Sequence, residues 1–360
     1  MINNFSLLGI GACGGNQVYA FKKFGLESFY INSAIEDLKS LGIDDINYYH
    51  IKNATGCHKD RIVSKQYLAQ NFEEILSQID RYLTGKYIFL FGSTGGGTSS
   101  GMIALMTELI ENELNKIVIP VVTLPHFSES LQAKTNSYET LKELFESAKH
   151  TVFIVDNNKE TSYVKSNEVL ANNIYSLISD VSNSTDGIYD YSEICAMLEE
   201  TGYGVVTTFN RKPTQIDITS SIKTAIKNNI FANAEERNSL YYCGLKISTT
   251  RKTVSINQDE LQLQFGYWRD VFTGYQTKNN LVFLSGLNYP SSTVDELYKS
   301  IQEDKIRIEK DLSNKSTIIF KDDFKISNQS NKSINKTVSA RDKLMQMMGK
   351  WFYGSEIWKD

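Results

Sequence analysis

Short runs of apolar and β-branched residues recur through the first half of the chain, and segments with helical periodicity separate them. The runs lack strict alternation, and most are too short for a helix, so they predict strands that are buried on both faces. These predicted strands cover residues 5–10, 28–32, 46–51, 87–91, 117–123 and 151–155. Between them, Met102, Met106, Leu109 and Ile110 share one face of a predicted helix at 101–114. Alternating strands and helices favour a parallel sheet covered by helices, with ligands bound at the carboxyl ends of its strands.

The pattern changes after residue 165. Apolar residues at helical spacing predict a long helix at 166–181, and turn-forming residues follow it at 182–187. Further strands are predicted at 204–209, 242–248, 281–286 and 317–321, and further helices at 220–232 and 292–304. The longer segments between these strands indicate a second α+β domain with a mixed sheet.

Length and composition suit two globular domains. The chain has 360 residues, of which 41% are hydrophobic and 22% are charged, which excludes a mainly disordered protein and a fibrous repeat. We predict a first domain at 1–165, a central helix and the following turn at 166–186, a second domain at 187–324, and a C-terminal segment at 325–360. Within that last segment, the composition predicts a polar linker at 327–336 and a helix at 337–349.

Charge is spread unevenly along the chain. The net charge is −4, so the chain as a whole is not a polycation, and any contact with nucleic acid has to be local or made through a partner. Residues 325–350, however, carry six basic residues and one acidic residue, a net charge of +5. This stretch could contact DNA or an acidic partner, or it could be a solvated linker and helix face. Four aromatic residues follow this stretch, namely Trp351, Phe352, Tyr353 and Trp358. Their apolar side chains favour docking onto the chain itself, onto a second copy or onto an adaptor.

Three further features of the sequence concern the cellular compartment and metal binding. No apolar run reaches the length of about 18 residues that a membrane span needs, and the N-terminal apolar stretch predicts a buried strand rather than a signal peptide. The four cysteines form no CxxC pair, which favours reduced thiols in a cytoplasm. The four histidines show no metal-binding spacing.

Two glycine-rich segments each follow a predicted strand and open a predicted helix. They read GIGACGGN at 9–16 and GSTGGGTSSG at 92–101. Glycine lets the backbone approach a ligand, and the N–H groups at a helix N-terminus attract phosphate. The first segment matches the dinucleotide fingerprint G-x-G-x-x-G, but the next strand ends in Asn32 and Ser33 rather than in the acidic residue that would bind a ribose. The second has no lysine and is therefore not a P-loop. Each segment could also be a tight turn between a strand and a helix.

The second segment resembles the phosphate loop of the tubulin/FtsZ superfamily, G-G-G-T-G-[ST]-G, with Ser99 in place of a glycine. Further family features recur in the same order over most of the chain. The motif VTLP at 122–125, followed by Glu129, is similar to the loop whose acid contacts the ribose. Tyr163, four residues before Asn167, resembles the aromatic residue and the amide that contact guanine. Among relatives, the size of the chain and its C-terminal helix most resemble TubZ-type proteins of plasmids and phages.

The resemblance implies a Rossmann-like, parallel-sheet, GTP-binding domain at 1–165, a central helix, an α+β second domain, and a C-terminal helix and tail. It implies GTP or GDP as the nucleotide, with Mg²⁺ held mainly by phosphate oxygens and water. The nucleotide contacts that it implies are Gly11, Ala12, Cys13, Gly15, Asn16, Asn32, Gly95, Gly96, Gly97, Thr98, Ser99, Pro125, Glu129, Tyr163 and Asn167. In the loop at 53–61, Gly56, Lys59 and Arg61 are candidate contacts of the γ-phosphate.

The segment after the central helix resembles the family's synergy loop, G-x-x-N-x-D-x-x-[DE]. Asp190 and Glu193 fall on its two acidic positions, whereas Ile188 stands where FtsZ-like loops carry asparagine. Two carboxylates can orient the water that attacks a γ-phosphate. They could also be solvated acids at the start of a helix. In this family the loop acts on the nucleotide of the next subunit, so the resemblance implies hydrolysis within a head-to-tail filament.

We therefore expect a GTPase that polymerises with itself and segregates plasmid or phage DNA in a bacterial cytoplasm. Its tail would meet a DNA-binding adaptor, and no membrane partner is expected. Three alternatives remain: a phage tubulin that positions genomes, an FtsZ-like division protein, and a dinucleotide-dependent oxidoreductase. The last would use Gly9, Gly11 and Gly14 and would leave the second glycine segment unexplained.

Overall fold

The structure is a computed structural model, and it describes residues 2–160, 162–179, 187, 189–235 and 239–314. Several predictions concern residues outside this part of the chain. They are the strand at 317–321, the linker and helix at 327–349, the basic stretch at 325–350, and the four aromatic residues at 351–358. Ile188 and the turn at 182–186 also lie outside it.

Within the described residues, strands and helices alternate through most of the chain. The strands are β1 (Phe5–Ile10), β2 (Ser28–Asn32), β3 (Tyr48–His50), β4 (Tyr87–Ser93), β5 (Ile117–Leu124), β6 (Thr151–Asp156), β7 (Gly202–Thr208), β8 (Ser239–Ile247), β9 (Gly266–Tyr275) and β10 (Leu281–Leu287). The α-helices are α1 (Gly11–Tyr19), α2 (Ile35–Ser40), α3 (Arg61–Tyr82), α4 (Thr98–Leu114), α5 (Leu131–Ser147), α6 (Tyr163–Ser179), α7 (Tyr191–Glu199), α8 (Thr219–Lys227), α9 (Gln258–Phe265) and α10 (Ser291–Asn314).

The strands form one sheet in the order β3-β2-β1-β4-β5-β6-β7-β10-β8-β9. Neighbours from β3 to β7 are all parallel, while β10 runs antiparallel to both β7 and β8. The predicted fold class is confirmed: a parallel sheet in the first half and a mixed sheet in the second. The two are continuous, because Thr151 and Val152 of β6 pair with Gly202 and Tyr203 of β7.

Two differences from the predicted elements have local causes. The helix predicted at 220–232 ends at Lys227, because the chain beyond it pairs with β6. There Phe231 bridges Val155, and the carbonyl of Ile230 accepts a hydrogen bond of 2.8 Å from the Asp156 N–H. β9 was not predicted, since it is an edge strand whose residues are mostly exposed or half-buried and therefore form no apolar run.

The predicted long helix corresponds to α6, and a buried lysine of β8 holds its C-terminal end. Lys246 is 1% exposed, and its Nζ donates hydrogen bonds of 2.7 Å to the carbonyls of Ser176 and Leu177. A cation at this end of a helix satisfies carbonyls that lack an intrahelical partner and complements the helix dipole. On the other side, Tyr175 stacks on Phe24 with ring centroids 3.9 Å apart. The central helix is thus anchored to both halves of the chain.

Helix α10 packs on α5 and continues past it. Tyr298 meets Tyr138 with ring centroids 5.4 Å apart, and Asp304 forms an ion pair with Lys134, near the start of α5. From residue 305 to residue 312 every side chain of α10 is exposed. The helix was predicted only at 292–304, because its apolar face ends where α10 leaves α5. In the structure the helix continues to Asn314. No helix in the described part of the chain is long and apolar enough to span a membrane.

Candidate nucleotide site

A pocket of about 290 Å³ opens at the carboxyl ends of β1, β4, β5 and β6. Its lining residues are Cys13, Asn16, Lys59, Ser93, Gly95, Gly96, Thr123, Leu124, Pro125, Glu129, Asn157, Tyr163 and Asn167. Eight of these were predicted as nucleotide contacts; they are Cys13, Asn16, Gly95, Gly96, Pro125, Glu129, Tyr163 and Asn167. The structure therefore brings together, at one edge of the sheet, residues that are far apart in the sequence.

The other predicted contacts do not line the pocket. Gly11, Gly15, Asn32, Thr98 and Ser99 are buried, Ala12 is exposed, and Gly97 is half-buried. Asn32 is engaged in the fold, since its Nδ2 donates to the Asp37 carboxylate at 2.9 Å and its Oδ1 accepts from the Ala34 N–H at 3.3 Å. The Ser99 hydroxyl donates to the Ser93 carbonyl, so this serine ties the glycine-rich loop back to the end of β4.

The glycine-rich loop needs glycine because other backbone lies against it. A Cβ on Gly97 would stand 2.9 Å from the backbone nitrogen of Lys59, and one on Gly95 would stand 3.1 Å from the Ala133 carbonyl oxygen. A Cβ on Gly96 would meet only the hydroxyl oxygen of Ser93. Gly97 is also the N-cap of α4 and makes no side-chain capping bond, so the first N–H groups of this 17-residue helix are available to an anion.

The first glycine segment divides into two parts. Gly9 and Gly14 are packing glycines: a Cβ on Gly14 would stand 2.3 Å from the Phe91 carbonyl oxygen, and one on Gly9 would stand 2.7 Å from the Gly14 carbonyl oxygen. Gly9 lies within β1 and Gly14 within α1, so these two glycines allow close packing of the strand and the helix and do not form a turn. Gly11 has a φ of +71°, which favours glycine, and it starts α1 where the chain turns towards the pocket. The following residues Cys13 and Asn16 line the pocket wall.

The loop after β5 contributes the acidic side of the pocket. The Glu129 carboxylate accepts from the His126 N–H at 3.2 Å and lies 3.5 Å from the Lys59 Nζ. Asn158, after β6, holds this loop: its Oδ1 accepts from the Phe127 N–H at 2.8 Å. Tyr163 is 54% exposed at the start of α6, which leaves its ring free to stack.

Among the pocket residues in the described part of the chain, Lys59 is the one basic side chain and Glu129 the one acidic side chain. The other candidates in the loop at 53–61 have different roles. Arg61 donates to the Ser100 carbonyl at 3.1 Å and to the Glu143 carboxylate at 2.6 Å, so its guanidinium holds α3 against α4 and α5. Gly56 donates its N–H to the Ser33 carbonyl at 2.9 Å. Neither residue lines the pocket, which leaves Lys59 as the candidate for the γ-phosphate.

Four lining residues were not named as nucleotide contacts from the sequence, namely Ser93, Thr123, Leu124 and Asn157. The first three lie within the motifs at 92–101 and 122–125, and Asn157 lies in neither. Each stands at or directly after the carboxyl end of β4, β5 or β6. The rule that ligands bind at the carboxyl ends of parallel strands would have found them.

The Cys13 thiol is expected to resist alkylation. Burial raises its pKa to about 11, and a hydrogen bond with Thr123 opposes this only in part. Since the thiolate is the nucleophile, an ordinary cysteine with a pKa of about 8.5 presents roughly 300 times more thiolate at neutral pH. Iodoacetamide labelling, read by peptide mass spectrometry, should be slow at pH 7.5 and should accelerate as the pH rises towards 11. Saturating GTP should slow it further, because Cys13 lines the pocket, and rapid labelling at neutral pH would contradict the raised pKa.

The two predicted acids lie at the start of α7. Asp190 is the N-cap residue: its carboxylate accepts from the Ser192 N–H at 2.7 Å, and the Glu193 carboxylate accepts from the Asp190 N–H at 2.8 Å. This is a capping box. Hydrogen bonding with Glu193 and then with Ser192 lowers the pKa of Asp190 to about 2, so its carboxylate is charged at neutral pH.

Helix α7 crosses the amino ends of the strands. The Tyr191 ring lies edge-on to Phe5, the first residue of β1, with centroids 5.8 Å apart, and the Asn4 side chain donates to the Tyr191 hydroxyl at 2.9 Å. Further along, Thr151 at the start of β6 donates to the Met197 carbonyl at 3.0 Å. The acids are therefore at the edge of the sheet opposite to the pocket.

The segment before the acids is fixed to the second half of the chain. A Cβ on Gly187 would stand 2.0 Å from the Thr273 carbonyl oxygen of β9. Tyr189 is buried, and the Lys246 Nζ lies 5.7 Å from the centroid of its ring. The backbone around Asp190 is thus held by β8 and β9 as well as by α7.

Comparison with known proteins identifies a matching family and similar structures. Residues 4–164 match the Tubulin/FtsZ family, GTPase domain. The chain is 26% identical over 351 residues to the tubulin-like protein TubZ of a Clostridium botulinum C phage, covering 95% of this chain and 94% of that protein. The crystal structure of Clostridium botulinum phage c-st TubZ has the same fold, with a TM-score of 0.74 at 23% identity over 85% of this chain and 99% of that chain. A GTPγS-form protofilament of Bacillus thuringiensis serovar israelensis TubZ matches with a TM-score of 0.71 at 15% identity, over 86% of this chain and 94% of that chain.

Proposed function

The chain is a TubZ-like GTPase of the tubulin/FtsZ family, with its GTPase domain at residues 4–164, and from this premise we propose that it assembles head to tail and hydrolyses GTP at the contact between subunits. A contact of this kind joins two different faces of the same molecule and repeats without closing, which builds a filament. The relative from Bacillus thuringiensis was solved as a protofilament in the GTPγS form.

One observation carries the proposal. The glycine-rich loop follows the carboxyl end of β4, whereas Asp190 and Glu193 lie at the amino-end edge of the same sheet. The seven residues of β4 span about 20 Å, so these acids are too far away to act on a nucleotide in their own pocket. A second copy stacked on the carboxyl-end edge would bring its own acids to that nucleotide.

The exposed end of α10 supports such stacking. The helix passes the start of α5, which follows the loop carrying Glu129, and continues beyond Asp304 as an exposed arm. Ile306, Ile308 and Leu312 are exposed on this arm. Apolar side chains grouped at one end of the molecule favour contact with another protein surface.

Within the pocket, the chemistry of GTP fits the lining residues. The N-termini of α1 and α4 and the glycine-rich backbone favour the phosphates. Glu129 can accept hydrogen bonds from ribose hydroxyls, the Tyr163 ring can stack on guanine, and the Asn167 amide can pair with the base edge. In the structure Lys59 lies beside Glu129. A bound γ-phosphate would compete for the ammonium group of Lys59 and would free the Glu129 carboxylate to bind the ribose.

Magnesium enters the proposal together with the nucleotide. Within the described residues, no group of three or more histidine, cysteine or acidic side chains could hold a metal ion. The pocket does fit a phosphate-bound Mg²⁺, because this ion keeps most of its water and needs few protein ligands. Ser93 and Thr123 would face its water shell, and the ion would neutralise charge on the phosphates.

Asp190 and Glu193 would act on the attacking water from the neighbouring subunit. The low pKa of Asp190 keeps its carboxylate charged, which suits it to orient a water in line with the γ-phosphate more than to carry away its proton. The capping box fixes both carboxylates at one helix terminus. Departure of the phosphate would then loosen the contact and let the filament disassemble.

For the cellular role, we propose segregation of plasmid or phage DNA in a bacterial cytoplasm through an adaptor bound to the C-terminal segment. The net charge of +5 at residues 325–350 and the similarity to a phage protein support this role. Deletion of residues 351–360 tests the adaptor contact. Positioning of phage genomes and cell division are the alternatives, and identification of the adaptor would separate them.

The first test is sedimentation. We expect the purified protein, at tens of micromolar with GTP and Mg²⁺, to pellet as filaments visible by electron microscopy, and to stay in the supernatant with GDP. Gly96→Val is the matched control, because it adds a side chain to a pocket-lining residue of the glycine-rich loop at a place where a Cβ meets only the Ser93 hydroxyl oxygen. Pelleting of the wild-type protein without nucleotide, or none with GTP, would count against GTP-driven assembly.

A further inference from the structure

A single buried amide connects the two loops on the phosphate side of the pocket. Asn136 lies on α5 and is 2% exposed. Its Nδ2 donates one hydrogen bond of 2.8 Å to the Lys59 carbonyl and a second of 3.1 Å to the Gly96 carbonyl. Its Oδ1 accepts from the Gln132 Nε2 at 2.8 Å. Asn136 does not itself line the pocket.

The orientation of this amide follows from its partners. A side-chain amide has two N–H donors, and both are used on carbonyl oxygens, which can only accept. The flipped amide would place Oδ1 against those two oxygens and leave the buried Nδ2 facing the Gln132 donor. An aspartate at this position would have the same shape but would present acceptors to both carbonyls.

The loop that Asn136 holds is in a strained conformation. His58 has a φ of +48° and Lys59 a φ of +61°, so two successive residues other than glycine are left-handed. Each such residue is unfavourable and persists where the surroundings fix it. The hydrogen bond to the Lys59 carbonyl provides that restraint, and the bond from the Asp60 N–H to the Cys57 carbonyl, 2.7 Å long, closes the turn.

The same loop lies directly on the glycine-rich loop. A Cβ on Gly97 would stand 2.8 Å from the Cys57 Cβ and 3.1 Å from the Lys59 Cα. Asn136 therefore joins two segments that already touch, and it does so at the residue whose ammonium group faces the pocket. The position of that ammonium group depends on a backbone that Asn136 holds in place.

We propose that Asn136 is a positioning residue, which fixes the Lys59 loop on the glycine-rich loop so that the pocket distinguishes GTP from GDP. The inference rests on the proposed function, because it assumes that the Lys59 ammonium meets the γ-phosphate. GDP lacks this group, so its binding does not depend on the Lys59 ammonium. Loss of the amide therefore weakens GTP binding more than GDP binding.

The test compares Asn136→Asp with the wild-type protein at a concentration below that of assembly. We expect the Kd for GTP to rise about tenfold, because aspartate cannot donate either hydrogen bond and the Lys59 ammonium then loses its fixed position. We expect a smaller rise for GDP, both measured by displacement of a fluorescent guanine nucleotide. Hydrogen exchange of the nucleotide-free protein should become faster in both 56–60 and 94–98.

Two further variants keep the test decisive. Asn136→Ser is neutral and can donate one bond but not two, so it carries the measurement if the aspartate variant does not fold. Asn173→Asp is the matched control on α6. Asn173 is equally buried, and its Oδ1 accepts from the Thr208 N–H at 3.3 Å, a role that aspartate retains. We expect the control to leave the ratio of the two Kd values unchanged.

The inference is overturned if the Asn136 variants melt at a lower temperature but bind both nucleotides as the wild-type protein does. It is also overturned if the two Kd values rise by the same factor, because Asn136 would then support the whole pocket without favouring GTP. A wild-type protein that binds neither nucleotide would instead refute the proposed function. The hydrogen-exchange comparison would still report whether Asn136 joins the two loops.

Discussion

Asp190→Asn should lower GTP turnover of the assembled protein by at least about 100-fold while the Kd of the monomer for GTP stays near that of the wild type. Asparagine caps a helix as well as aspartate does, so this variant removes the charge and keeps α7 intact. Asp190→Ala removes both the charge and the cap. Equal loss of turnover in the two variants would assign the effect to the carboxylate, and phosphate release is the measurement. Normal turnover in Asp190→Asn would reduce the residue to a helix cap.

A mixing experiment tests where the carboxylate acts. Asp190→Asn keeps a working pocket, and Gly96→Val keeps working acids. If hydrolysis takes place between subunits, a mixture of the two inactive variants recovers turnover, because the Gly96→Val subunit places its Asp190 against the nucleotide of its neighbour. Turnover that stays absent in mixtures where both variants pellet together would argue against catalysis by the adjoining subunit.

The second large effect concerns stability. We expect Asp304→Asn to lower the free energy of unfolding by about 3 kcal/mol, since breaking a buried ion pair leaves the other charge without its partner. The Lys134 side chain is 2% exposed, and without Asp304 its Nζ retains the Phe127 carbonyl at 3.1 Å and the Ser300 hydroxyl at 3.0 Å. Urea unfolding followed by circular dichroism gives the measurement.

Two further variants test whether the loss of unfolding free energy comes from the ion pair between Lys134 and Asp304. Asp311→Asn removes an exposed acid from the same helix and should change stability by no more than about 0.5 kcal/mol. The double variant Lys134→Met with Asp304→Leu removes both charges, and it should regain most of the lost stability because apolar residues can replace a buried ion pair. Equal losses of unfolding free energy in Asp304→Asn and Asp311→Asn would show that the buried ion pair contributes no more to stability than an exposed acid does.

Prediction from the sequence was most accurate for features that lie within one continuous segment of the chain. The glycine-rich segments are continuous in sequence, so their place between a strand and a helix could be predicted. The buried strands β1 and β2 were predicted with their observed bounds, because a strand covered on both faces is a mostly apolar run without strict alternation. β9 left no such run at the edge of the sheet.

Contacts between distant segments could not be predicted in this way. Arg61 and Lys59 are both basic residues of one loop, and the sequence does not show that Glu143 engages the first while the second faces the pocket. Asn136 has no motif at all. Its importance arises from two carbonyls, 77 and 40 residues away in the sequence, that the fold brings within reach of one amide.

The sequence by itself determined the class of the protein: a parallel sheet, a phosphate loop, and two acids after a long helix. The tertiary structure alone decided that the phosphate loop and the acids lie at opposite edges of the sheet. The physical reason is that strand direction sets one edge for every β-to-α turn, while α7 is drawn to the other edge by contacts of Tyr191 with Asn4 and Phe5. Asn4 and Tyr191 are 187 positions apart in the sequence, so no local pattern records their contact.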